Sequence, residues 1–190
     1  MTDVTLGFAM CGSFCTFHTV LEQLRQLRNH FPHIIPIMSE NSYLTDTRFG
    51  SAERFRNEME EICGRPVLHT IAETEPIGPK KLLDALIVAP CTGNTLAKLA
   101  GGIADTSVTL ACKAHLRNER PIILGVSTND GLGANGANLG RLLARKHIYF
   151  VPFGQDAPNP KPCSLVADFS LLKEAVSAAL EGRQLQPVLL

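Results

Sequence analysis

Ala85-Leu86-Ile87-Val88-Ala89-Pro90-Cys91-Thr92-Gly93-Asn94-Thr95-Leu96-Ala97-Lys98-Leu99-Ala100 changes character twice along its length. The apolar start predicts a buried strand over residues 85–89. The middle is small and polar, and the end is helix-forming. A parallel strand that ends in hydroxyl and amide side chains above a helix N-terminus suits an anion or polar ligand, because unpaired N–H groups converge there. Pro90 lacks a donor and fits a strand end. Gly93 would let a ligand approach the backbone closely. An ordinary turn capped by Thr92 or Asn94 has the same composition, so the stretch alone does not decide function.

Working outward, strands and helices alternate. Residues 4–9 form an apolar strand, and Phe14, Phe17, Val20, Leu21, Leu24 and Leu27 follow at helical spacing. Residues 34–38 form a short strand that Pro36 places near an edge. Ser51 opens an amphipathic helix with Phe55, Met59 and Ile62 on one face, ending at Gly64. Further strands are expected at 122–126 and 148–151, with a closing helix marked by Leu171, Leu172, Ala175, Val176 and Ala179. This pattern predicts an α/β fold: a Rossmann-like open, mostly parallel sheet with helices on both faces, in a single domain over residues 1–190. The tail 184–190 is expected to pack on a neighbouring protomer.

In such a sheet the loops 11–16, 39–48, 91–95 and 127–138 share the edge formed by the strand C-termini. Gly12, Ser13 and Thr16 offer N–H groups and hydroxyls to a phosphate, and Ser39 offers another hydroxyl. The first loop has neither the GxGxxG nor the GxxxxGK[ST] pattern, so no dinucleotide fingerprint or P-loop is present. Thr92, Gly93, Asn94 and Thr95 lie in the opening stretch. Ser127, Thr128 and Asn129 begin a long polar loop suited to covering a ligand. Arg48 is a candidate carboxylate clamp, because a guanidinium binds carboxylate in bidentate fashion. Lys98 lies one turn beyond Asn94.

The 190 residues include 18 basic and 18 acidic side chains, so no net field recruits nucleic acid or an anionic membrane. No apolar run reaches the length of a membrane span, and the N-terminus lacks signal-peptide character, which predicts a cytoplasmic protein. The cysteines at 11, 15, 63, 91, 112 and 163 form no CxxC pair and read as reduced, small core residues, Cys91 included. The histidines lack ligand-like spacing, His69 reads as a surface residue, and neither a catalytic triad nor a metal site is expected.

Pro90-Cys91-Thr92-Gly93-Asn94-Thr95-Leu96-Ala97-Lys98, followed by Gly102-Ile103-Ala104-Asp105, resembles the Pro-x-Ser-Ala-Asn-Thr-x-Ala-Lys…Ala-Asp signature of the flavoprotein fold family. That family includes flavin-containing cysteine decarboxylases and flavin prenyltransferases. The likeness runs nearly end to end with those members that form dipicolinate together with a different subunit. It is carried by Thr47-Arg48-Phe49-Gly50, Glu75-Pro76-Ile77-Gly78-Pro79-Lys80, Ser127-Thr128-Asn129-Asp130 and Val151-Pro152-Phe153-Gly154-Gln155-Asp156. The resemblance implies a homo-oligomeric oxidoreductase component that acts on a small dicarboxylate during spore formation, with NADP on the partner subunit. It implies FMN, or a phosphate in its place, held by Gly12, Ser13 and Ser39, with Thr92, Asn94 and Thr95 nearer the ribityl chain or ring. Two departures argue against decarboxylation. Ser127-Thr128-Asn129 stands where the decarboxylases carry Pro-x-Met-Asn, and His69 lies farther ahead of the signature strand than their catalytic histidine.

Overall fold

The computed structural model describes residues 3–190. In chain order the elements are β1 (Thr5–Met10), α1 (Phe17–His30), β2 (His33–Met38), α2 (Glu40–Leu44), α3 (Ala52–Cys63) and α4 (Ile71–Thr74). Then come β3 (Ala85–Cys91), α5 (Gly93–Gly101), α6 (Ser107–Leu116), β4 (Ile122–Thr128) and α7 (Gly136–Leu143). The chain closes with β5 (Ile148–Phe150), β6 (Phe153–Gly154), β7 (Leu165–Ala167) and α8 (Leu172–Leu180).

The strands form one sheet in the order β2-β1-β3-β4-β7-β6, with β5 also paired to β4. The pairs β1–β2, β1–β3, β3–β4 and β4–β5 are parallel. All of β3 is buried, as a strand covered on both faces must be. From β1 the chain crosses to β2 on one side, whereas from β3 it crosses to β4 on the other. With right-handed crossovers this reversal puts α1 and α6 on opposite faces. The reversal lies between β1 and β3, where their C-terminal ends leave a crevice.

Local chemistry explains the helices that the sequence reveals. Phe17, Val20, Leu21, Leu24 and Leu27 are buried along α1. In α3 the Ser51 hydroxyl accepts from the Arg54 N–H at 3.2 Å, and Gly64 ends the helix in the left-handed region. Pro36 does lie on the edge strand: its carbonyl accepts from Leu68 N, and no ladder bond requires its missing donor. The less legible helix is α6. Ser107, Val108, Thr109, Ala111, Cys112, Ala114 and His115 are all buried, so it has no wide polar face to produce a periodic pattern.

Two expectations need correction. Residues 127–138 are not one long loop, because β4 runs to Thr128 and α7 starts at Gly136. The tail does not leave its own chain. Val188 O accepts from Phe153 N at 3.1 Å, Leu190 N donates to Phe153 O at 3.0 Å, and the Gln184 amide bonds both backbone groups of Phe150. The antiparallel pair β6–β7 has no signature in the sequence, since strands of two and three residues carry no readable alternation.

Candidate functional site

The end of β1 is tied to its neighbours by backbone bonds. Cys11 N donates to Pro90 O at 3.2 Å, and Ser39 N donates to Met10 O at 3.0 Å. Across the crevice the Ser13 and Ser127 hydroxyls meet at 2.7 Å. All four expected loops therefore converge. Gly12 and Thr92 form a ridge that separates two hollows.

The first, the Ser39 hollow, has a volume of about 480 Å³ and is bordered by Gly12, Ser39, Glu40, Thr92, Asn94 and Lys98. Thr92 caps α5, its hydroxyl accepting from Thr95 N at 3.2 Å. The first N–H groups of a helix have no acceptor inside it, which leaves those of Gly93 and Asn94 for a ligand. Ser39 caps α2 and exchanges a hydroxyl hydrogen bond with Ser42 at 2.9 Å. Lys98 faces this hollow with its ammonium 2.7 Å from Asp105, and that contact holds the Asp105 carboxyl below its ordinary range.

The second, the Lys161 hollow, has a volume of about 450 Å³. Ser13, Thr16, Ser127, Thr128 and Asn129, all expected on one shared ligand edge, line it. So do Asp156, Lys161 and Ser164, which the sequence reading missed. The signal for them was partial: Asp156 ends one of the stretches that carry the family resemblance, but the hairpin that turns it inward was not visible.

Gly93 lines the Lys161 hollow, and its missing side chain also makes room for groups of the chain itself. The atoms that approach it belong to the chain itself: a Cβ there would lie 2.5 Å from Asn135 Nδ2, 2.6 Å from Thr128 Oγ1 and 2.7 Å from Asp130 Oδ1. The Asp130 carboxylate accepts from both Thr128 Oγ1 and Asn135 Nδ2, and Asn138 Nδ2 donates to Asn135 Oδ1. Gly93 thus lets this polar cluster sit against the N-terminus of α5, where negative charge is favoured.

Arg48 lies apart from both hollows. It is exposed on the turn closed by Thr47 and Gly50, with its guanidinium 4.9 Å from the Phe49 ring centroid. His69 is also outside them. Its ring stacks on Tyr43 at 3.7 Å, the Arg56 guanidinium lies 4.7 Å from the Tyr43 ring centroid, and Glu73 lies 3.2 Å from Nδ1. Cys11, Cys91 and Cys112 are buried and free. Burial pushes the Cys11 thiol up to about 11 and raises the other two well above the ordinary value, so all three are inert, protonated core groups at neutral pH. Among the described residues no cluster of three or more His, Cys, Asp or Glu side chains could hold a metal ion, and no helix is long and apolar enough to cross a membrane.

A parallel sheet with a hydroxyl-rich crevice at its switch point, and residues 1–135 that match the Flavoprotein family, define the class: the chain belongs to that family. Within it, the chain is 44% identical over 184 residues to the B-type subunit of dipicolinate synthase from Bacillus subtilis, covering 97% of this chain and 92% of that one. It is similar throughout to the crystal structure of the corresponding dipicolinate synthase subunit from Bacillus halodurans, with a TM-score of 0.91, 43% identity and coverage of 100% and 97%. An FMN-dependent cysteine decarboxylase shares the fold at a TM-score of 0.73 and 22% identity, over 95% of this chain and 97% of that one.

Proposed function

We propose that this chain is the B-type subunit of a dipicolinate synthase. It acts with the A-type subunit in the NADP-linked oxidation of a tetrahydrodipicolinate-type precursor to dipicolinate, in the cytoplasm of a spore-forming cell. The observation that carries this reading is the end-to-end likeness to the B-type dipicolinate synthase subunit, which extends past the family's common core into the hairpin at Lys161. NADP is assigned to the A-type subunit, in keeping with the absence of a dinucleotide fingerprint from the first loop here.

The Ser39 hollow fits a flavin phosphate on chemical grounds. It joins the free end of α5 to the hydroxyls of Ser39, Thr92 and Thr95, and its volume falls in the range for cofactor sites. Gly12, Asn94 and Lys98 complete its wall. FMN bound there, or a phosphate group in its place, would be held by these residues. A bound flavin supplies reversible two-electron chemistry. The chain's own residues bind and orient: Ser13, Thr16, Ser127, Thr128 and Asn129 present hydrogen-bonding groups to a substrate in the adjoining hollow. Arg48 could clamp a substrate carboxylate only where another protomer or the partner subunit meets its exposed turn, consistent with a homo-oligomer.

A second reading makes the chain a non-catalytic partner that completes the active site of the A-type subunit. It is favoured by the linings of the two hollows, which include no histidine. Dipicolinate formation assayed with the two subunits separately and then mixed tests the proposal. Activity only in the mixture supports it; full activity from the A-type partner by itself overturns it. In the mixture, wild-type rates from an Asn94→Ala variant would favour the second reading.

A further inference from the structure

Among the described residues, Asp156 and Lys161 are the only charged side chains lining the Lys161 hollow, and they give it a dipolar lining. Both belong to the connection between β6 and β7, which contains Pro158, Pro160 and Pro162. This connection is fixed in place. Lys161 N donates to Ala157 O at 2.8 Å, Lys161 O accepts from Ser164 N at 3.0 Å, and Gln155 Nε2 donates to Pro162 O at 2.8 Å. Its far end is tied to the β4 side: Leu132 N donates to Cys163 O at 3.0 Å, and the one Ser164 O–H, 3.2 Å from Thr128 O, is shared between that carbonyl and the Asp156 carboxylate. The proline-rich segment therefore holds two opposite charges at the mouth of a hydroxyl-lined hollow.

The pair itself is loose. Lys161 Nζ lies 3.3 Å from Asp156 Oδ2, longer than a close charge-assisted contact, and the side chains are 54% and 29% exposed. An ammonium has three donors and a carboxylate about four acceptor sites, so each retains capacity for a ligand. The Ser164 hydroxyl and then the Lys161 ammonium hold the Asp156 carboxyl below its usual range, keeping it an acceptor at neutral pH. A simple anion entering here would meet the Asp156 charge as well as that of Lys161. A ligand with its own adjacent positive and negative groups meets complementary charges at both.

We propose that the Asp156–Lys161 pair recognises a non-aromatic nitrogen heterocycle with a carboxylate beside a protonated ring nitrogen, Lys161 binding the carboxylate and Asp156 accepting the ring N–H. The assignment rests on the functional reading above and specifies its substrate class. It gives the hollow a reason to prefer the non-aromatic precursor over the aromatic diacid, whose ring nitrogen carries no proton at neutral pH.

The test is calorimetric titration of the full chain with piperidine-2,6-dicarboxylate and with cyclohexane-1,3-dicarboxylate, which replaces the ring nitrogen by carbon. The piperidine is expected to bind about 10-fold tighter, as one hydrogen bond to a charged group would give. Asp156→Asn removes that preference, and Lys161→Met weakens both ligands about 10-fold. Equal binding of the two probes, a preference that survives Asp156→Asn, or no binding of either overturns the assignment. Both side chains are partly exposed, so unchanged thermal unfolding of the variants separates a binding effect from a folding one. If the reconstituted mixture forms dipicolinate but the probes show no preference, only this assignment falls. If the preference holds but the mixture forms none, the functional reading falls and the site stands.

Discussion

The two hollows share the Gly12–Thr92 ridge but are made in different ways. The Ser39 hollow is built by parallel strand ends and a nine-residue helix, and its polar groups are the free N–H groups of that helix, the capping hydroxyls of Ser39 and Thr92, the amides of Asn41 and Asn94, and the separate charges of Glu40 and Lys98. The Lys161 hollow takes one wall from the same crevice and the other from an antiparallel hairpin, and it contributes paired side-chain charges. A helix end attracts any anion of suitable size, whereas a fixed pair of charges discriminates by the arrangement of charge in the ligand. The first hollow is formed by the parallel part of the sheet, and the second also needs the antiparallel pair β6–β7. The difference can be challenged at the ridge, behind it and on each side.

Gly93→Ala should have the largest effect, because the new Cβ enters the Asp130 cluster that supports both hollows. Overpacking of this kind costs about 2–3 kcal/mol, read as a lower denaturation midpoint with an unchanged m-value. Adding Asp130→Ala removes one of the close atoms and should recover part of the loss, giving a non-additive double-mutant cycle. Additive losses would show that the cluster does not press on α5, and the ridge would then be independent of the β4 side.

Acid should weaken the molecule from the opposite edge of the sheet, where β3 and β4 begin, rather than through either hollow. His115, near the end of α6, is buried and donates from Nε2 to Pro121 O at 3.1 Å. Burial lowers its pKa from 6.5 to about 4. The unfolded chain therefore binds the extra proton first as pH falls. Stability is full above 6.5, declines by at most about 1.4 kcal/mol per pH unit between 6.5 and 4, and then levels off. Denaturation at a series of pH values, with NMR titration of the His115 ring, checks this. A flat profile, or a ring titrating at an ordinary value, would contradict the burial account. The depressed Asp156 carboxyl stays charged across that window, so charge recognition in the Lys161 hollow should outlast the initial loss of stability.

The contrast between the hollows also accounts for what could be read from sequence. Parallel strands buried on both faces appear as continuous apolar runs, and the loops after them inherit a shared edge from the topology. Thus the sequence pattern alone implies a shared edge for Gly12, Ser13, Ser39, Thr92, Asn94 and Ser127. Asp156 and Lys161 could not, because β6 and β7 are too short to show alternation and the prolines between them suggest only a loop. Arg48 shows the opposite failure. Its chemistry suited a carboxylate, but residue type does not reveal direction, and its guanidinium lies over Phe49 away from the crevice. Gly93 was noticed for the right property, its missing side chain, while the occupant of that space came from a loop more than thirty residues later.

Removing the cap of α5 tests the Ser39 side directly. Thr92→Ala loses the acceptor for Thr95 N and should cost about 1 kcal/mol of stability. Inorganic phosphate added to the wild-type chain should raise its unfolding temperature, and the same concentration should raise that of the variant less. Equal shifts would mean that phosphate binds away from α5, removing the general anion site from the comparison.

The smallest effects are expected where the two sides touch, and their inequality is informative. The Ser13 and Ser127 hydroxyls form a 2.7 Å bond, but Ser127 is buried at 4% exposure while Ser13 is half-buried at the hollow's rim. Ser13→Ala leaves a buried hydroxyl without that partner, so it should cost close to 1 kcal/mol. Ser127→Ala leaves Ser13 free to bond water and should cost about half as much. Denaturant midpoints measured for the two variants and their double mutant separate the bond from the burial. If Ser127→Ala proves the costlier change, the buried hydroxyl is held by more than Ser13. The β4 wall would then be stabilised independently of the first loop, and the two hollows would be two sites that merely adjoin.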